Sequence, residues 1–211
     1  MEAGLFLSLT GLCALASFLE LDAVYAGQFL LSRPLVVGTL LGLICGDVKT
    51  GVQFGIWTEF LLLDQLPVGG YVPPSGGVCA ASAFILAYLC MLPVSFSFLL
   101  GIIIGKGYSH MESRLRTWRN AWNRSVEKDV QDDAGAVNAW MFKSIALQFG
   151  AGFVFIWLAV QALSLAGAYA WPRLSEELRN AVDLGYFAVP WIGMASLVFT
   201  LYAKAKAAAH A

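Results

Sequence analysis

GDVKTGVQFGIWTEF, residues 46–60, sets Asp47, Lys49 and Glu59 inside an otherwise oily chain. The apolar stretch before it, 34–45, and the apolar stretch within and after it, 52–63, each run to about a dozen residues, whereas a helix needs about 20 to cross the ~30 Å of bilayer hydrocarbon. Short, glycine-interrupted apolar segments point to re-entrant or broken helices. At membrane depth, irregular backbone survives only where protein or a water-filled cavity covers its polar groups, and transporters commonly build binding sites there. Gly38, Gly42 and Gly46 recur every four residues, as do Gly51 and Gly55. That spacing lets neighbouring helices approach closely.

The wider composition agrees with a membrane protein. Of 211 residues, 59% are hydrophobic and only 13% charged, with positive mean hydropathy, well outside the soluble range. A net charge of -1, with no basic run interleaved with aromatics, excludes a nucleic-acid footprint. Cys13, Cys45, Cys79 and Cys90 lie in apolar segments without metal-ligand spacing and read as buried small hydrophobes. Ala14-Leu15-Ala16 mimics a leader cleavage site, but no Lys or Arg precedes Arg33. Residues 5–25 therefore read as a retained first membrane helix, with Glu20 and Asp22 near its far end as candidate interfacial acids.

The expected architecture is all-α and polytopic, with short, re-entrant helices in the N-terminal half. Ser32-Arg33-Pro34 reads as a helix start, Ser32 capping and proline in the first turn. Residues 65–77 are too rich in Gly and Pro for a helix. Residues 78–105 are apolar, and Pro93 leaves one kinked span or two half-helices open. At 106–128 an amphipathic basic helix is expected to open on a capping box, Ser109 with Glu112, and its basic excess places it on the cytoplasmic side. Spans follow at 140–170 and 184–202, separated by an exposed turn at 172–183, with Lys204 and Lys206 returning to the same side. Three regions result: a membrane region with the binding segments (1–105), the basic helix and linker (106–135), and C-terminal spans with a basic tail (136–211).

Intramembrane carboxylates are costly unless paired, hydrated or facing a cavity. Asp47, Lys49, Thr50, Gln53, Trp57 and Glu59 form the candidate substrate-binding set, offering carboxylates and an amide for hydroxyl pairs and a ring for a sugar's C–H face. A plain Asp47–Lys49 ion pair closing a turn remains the alternative. An Asp47–Lys49 pair requires GDVKTG to be a loop, since on a helix the two side chains diverge by about 200°. Asp64 reads as interfacial. No catalytic residue, metal cluster or cofactor motif is expected: His110 and His210 lie outside the apolar segments, and no phosphate-binding glycine loop or nucleophile elbow occurs.

The run RPLVVGTLLGLICGDVKTGVQFGIWTEFLLLDQLPVGGYVPPSGG resembles the enzyme IIC component of the mannose/fructose/sorbose family of the bacterial sugar phosphotransferase system. Arg33, Pro34, Gly38, Gly42, Gly46, Asp47, Thr50, Gly51, Gly55, Glu59, Gly69, Pro73 and Pro74 carry the resemblance. It implies a sugar-binding and translocating subunit in the bacterial inner membrane. Its implied partners are an enzyme IID membrane subunit and soluble IIA and IIB proteins, which carry the phosphate. Ser75 stands where the family commonly has Asp, Asp64 with Gln65 replaces a commonly glycine-containing turn, and the chain is shorter than usual members. The resemblance therefore leaves specificity open. A non-transporting sugar sensor or scaffold on the same fold and an ion-coupled transporter using Glu59 are the rival readings.

Overall fold

The structure, a computed structural model, describes residues 3–209 except 24, 26, 64, 66–70 and 134, and leaves aside the side chains of 3, 132 and 203–209. The expectations for Asp64, Gly69, His210 and the tail lysines fall outside the described residues and side chains. Among the described residues the regular elements are all helices: α1 Ala3–Glu20, α2 Pro34–Cys45, α3 Val48–Leu61, α4 Gly76–Tyr88, α5 Val94–Arg119, α6 Asn123–Asp132, α7 Ala136–Ala170 and α8 Glu176–Ala209, with short 3-10 turns between some of them. Among the described residues, three stretches are long and apolar enough to cross a membrane, Gly4–Ala23, Ala136–Arg173 and Glu176–Tyr202. The 12 residues of α2 and 14 of α3 extend only about 18 and 21 Å at 1.5 Å per residue.

The glycine spacing acts at the α2–α3 contact. A Cβ on Gly38 would fall on the Gly51 carbonyl oxygen, and one on Gly55 would stand 2.8 Å from the Leu35 Cα. The two backbones therefore touch through positions that exclude any side chain. Gly46, at φ 80°, closes α2 in the left-handed conformation that suits glycine. The chain reverses at Gly46-Asp47 alone: Lys49 and Thr50 are already helical, and Asp47 accepts a hydrogen bond from the Thr50 N–H at 3.2 Å. The expected GDVKTG loop is thus a two-residue turn, because Asp47 satisfies a free N–H of the next helix and starts it at once. Asp47 and Lys49 form no ion pair; the ion pairs among the described residues are Arg33–Glu59 and Arg116–Glu112.

Other local expectations change as well. Arg33, not Ser32, occupies the cap position of α2, without a side-chain bond; Pro34 supplies the rigid start. Gly76 and Gly77 lie inside α4, which Ser75 caps through the Val78 N–H. The Ser109/Glu112 capping box is interior to α5: the Ser109 hydroxyl donates to the Lys106 carbonyl at 2.8 Å. Helix α5 continues through this signal because Gly105 packs on Cys79, and Gly107 and Tyr108 pack on Phe155. Tertiary contacts thus hold the preceding turn helical. Pro93 separates two helices, α4 and α5, after a reversal in which Met91 has φ 53°. Past Trp171–Arg173 the chain re-enters helix at Glu176, earlier than the expected exposed turn ends.

Contacts make successive long elements antiparallel. Gly77 lies beside Glu20, Gly101 and Gly105 beside Cys79 and Ala83, and Gly167 beside Phe96 and Leu100, while Gly152 meets Ser17 and Tyr108. The core, centred on α4, includes Leu41, Phe54, Phe84, Ile104 and Ile156. Cys13 and Cys79 are buried and Cys45 and Cys90 half-buried, all as free thiols. Asp22 is buried rather than interfacial and accepts the N–H groups of Phe29 (2.8 Å) and Leu31 (2.6 Å), which fixes the turn leading to α2.

Candidate functional site

The end of α3 delivers Glu59 to a polar cleft of about 330 Å³, a size within the roughly 300–1,000 Å³ of small-molecule sites. Five helices contribute its polar wall besides α3: Glu20 from α1, Arg33 from the start of α2, Ser75 at the cap of α4, Glu112 and Arg116 from α5, and Gln148 from α7. Two short helices, α2 and α4, begin at this cleft, so the partial positive charge of their N-termini faces the carboxylates.

Arg33 Nη1 holds Glu59 Oε1 at 3.0 Å. The second oxygen, Oε2, is buried and has no hydrogen-bond partner among the described residues. A buried acceptor without a donor costs about 1–3 kcal/mol, and a hydroxylated ligand would relieve that cost. Opposite, the Ser75 hydroxyl donates to Glu20 Oε1 at 2.8 Å. Gly77 makes this approach possible, since its Cβ would stand 3.0 Å from Glu20 Oε2. Arg116 Nε donates to Glu112 at 3.0 Å. Behind them, Gln148 donates to the Tyr108 hydroxyl at 3.2 Å, and Arg119 binds Gln148, the Tyr25 hydroxyl and Ser144. The cleft therefore combines carboxylate acceptors, paired guanidinium groups and an amide, a donor and acceptor set suited to a polyhydroxylated ligand. It contains no nucleophile–base pair, and no group of metal-ligating side chains occurs among the described residues.

Of the sequence-selected residues, only Glu59 lines this cleft. Asp47 and Thr50 lie at the opposite end of α3, about 18 Å away by helical rise, beside Leu5, Tyr88 and Met91. Lys49, Gln53 and Trp57 share an open face of α3. The Trp57 ring rests 4.0 Å from that of Tyr186 and edge-on to Phe98, in an aromatic cluster. From sequence alone Glu20 reads as interfacial and Glu112 as part of a capping box, and nothing local marks Arg116 or Gln148. The available signal was an acid near the end of an apolar span, as at Glu20, where charge is costly unless it faces a partner or cavity.

A short-helix bundle around a polar cleft, flanked by long apolar spans, defines a multi-pass α-helical membrane protein. The family model described as the sorbose-specific IIC component of the phosphotransferase system matches residues 6–209, and the chain belongs to that family. It is 23% identical over 174 residues to the mannose-specific EIIC component of Escherichia coli (strain K12), a match covering 81% of this chain and 65% of that protein. It is 35% identical over 105 residues to the sorbose-specific EIIC component of Klebsiella pneumoniae, covering 50% of this chain and 40% of that one. The matches thus span less than two thirds of these relatives' length. Among solved structures, one described as a membrane protein superposes with TM-score 0.75 at 18% identity, covering 95% of this chain and 81% of that chain. A chain from the complex of the mannose transporter ManYZ with microcin E492 superposes with TM-score 0.62 at 16% identity, covering 95% and 80%. These likenesses show a shared all-helical fold.

Proposed function

We propose that the chain is the sugar-binding and translocating membrane subunit of a mannose-family phosphotransferase system, moving a hexose or related sugar inward as partner subunits phosphorylate it. The observation that carries this reading is Glu59, which holds Arg33 with one oxygen and keeps the other buried and unpartnered in the cleft. A sugar hydroxyl donating to Oε2 satisfies it, while Glu20, Gln148 and the Arg116–Glu112 pair offer further contacts around the ring. Of the residues selected from sequence, Glu59 keeps a direct binding role in this proposal. Asp47 and Thr50 instead hold the tip of the α2–α3 hairpin.

Both α2 and α3 are too short to span, and they pack through glycines as a pair that enters at Pro34 and leaves after Glu59 on the cleft side; we take them as a re-entrant hairpin. The basic stretch following residue 105 then faces the cytoplasm, and the cleft opens towards that side. Phosphate is supplied by soluble IIA and IIB proteins. A IID membrane subunit completes the translocating unit, a partner supported by the likeness to a chain of the mannose transporter ManYZ complex.

The test is uptake of labelled hexoses by vesicles containing this chain with IID, IIB and IIA subunits, with and without phosphoenolpyruvate and the general phosphotransferase proteins. Accumulation of sugar phosphate only with phosphoenolpyruvate is expected. Sugar binding without accumulation, with phosphorylated partners present, would convert the assignment to a sensor; uptake driven by a pH gradient alone would convert it to an ion-coupled carrier.

A further inference from the structure

On the flank of the molecule away from the sugar cleft, α5 presents a stripe at helical spacing, 107, 110, 111, 114, 115 and 118, that with Phe155 of α7 forms a shallow groove. Its floor is apolar. Met111, Leu115 and Phe155 are half-buried, and Gly107 lets the Phe155 ring lie against the helix, where a Cβ would stand 3.0 Å from it. One edge is polar: His110 and Arg114 are exposed, and Arg114 forms no ion pair among the described residues, while its helical neighbours Arg116 and Arg119 turn inward to Glu112, Tyr25 and Gln148. At one end stands Trp118, 54% exposed. It is edge-on to Trp122 at 5.1 Å, which in turn lies 5.6 Å from Trp140, and Lys143 sits 4.1 Å above the Trp140 ring. Tryptophans with adjacent cations mark the headgroup level of a bilayer.

We propose that this groove binds an anionic glycerophospholipid. The headgroup phosphate sits at Arg114 and His110, Trp118 borders it at the interface, and one acyl chain runs along Met111 and Phe155 towards the apolar half of α5. Charge complementarity selects the occupant. The apolar floor alone would accept any lipid tail or a protein helix, but an exposed guanidinium with no carboxylate partner at the rim favours a phosphate with net negative charge. The site is independent of how the sugar is held.

The experiment is native mass spectrometry of the purified full chain in neutral detergent, titrated separately with phosphatidylglycerol and phosphatidylcholine. At least fivefold stronger retention of phosphatidylglycerol is expected. Arg114→Gln combined with His110→Gln should abolish the preference, and Arg114→Lys, which keeps the charge, should restore part of it. Equal retention of the two lipids, or an unchanged preference in the double variant, overturns the proposal. A photoactivatable side chain placed at position 111 in native membranes gives a second readout. Lipid adducts are expected; crosslinking to another polypeptide instead would assign the groove to a protein contact and overturn the lipid site.

Discussion

In the proposed function Glu59 is the residue that binds sugar, because its carboxylate is half committed to Arg33 and half free. Glu59→Gln keeps the shape but loses the charge that orders Arg33, and its amide nitrogen no longer accepts a hydroxyl proton. We expect sugar affinity to fall at least tenfold, about 1.4 kcal/mol, in calorimetric titration of the purified protein, with little change in thermal stability. Ser75 makes a sharper comparison, since its hydroxyl caps α4 and donates to Glu20. Ser75→Ala removes both interactions and should cost about 0.5–2 kcal/mol through the cap alone. Ser75→Asp keeps a capping acceptor but sets a second carboxylate against Glu20. Equal sugar affinity in wild type and Ser75→Asp would remove the Glu20 bond from the recognition scheme.

At the scale of elements, the α2–α3 hairpin depends on backbone contact rather than side-chain burial. Gly38→Ala places a methyl where the Gly51 carbonyl oxygen already lies. The helices must separate, at a cost of about 1–3 kcal/mol by analogy with overpacked cores. Thermal unfolding in detergent should show a clearly lowered midpoint, whereas Gly11→Ala in α1, where nothing lies within 4 Å, should be nearly neutral or stabilising. Equal effects at the two positions would dismiss close helix contact as the reason for the spacing. The same contact explains why these two helices are legible in the sequence. Its glycines recur at helical intervals, Gly46 stops α2, and Pro34 starts it, so local chemistry and global packing agree. The capping box at Ser109 and Glu112 misled for the opposite reason: the preceding turn was already fixed by Cys79 and Phe155 from other helices, which no local pattern announces.

For the whole molecule, burial of Cys13 and Cys79 gives a reporter of global integrity. A membrane-permeant maleimide should leave both unmodified in the folded protein and label them once the bundle unfolds; labelling of Cys79 under native conditions would contradict the α4–α5 packing. The membrane class, the family resemblance, the two short glycine-spaced helices and the long C-terminal spans are all legible in the residues alone, because hydropathy, periodicity and breaker residues act within one element. That Glu20, Arg33, Glu59, Glu112, Arg116 and Gln148 share a cleft while Asp47 and Trp57 stand apart from it follows from how the helices pack. The physical reason is geometric. A helix carries Asp47 and Glu59 to opposite ends of one rod, and antiparallel packing brings together residues more than 100 positions apart, an arrangement set by which helix faces meet rather than by the spacing along any one of them.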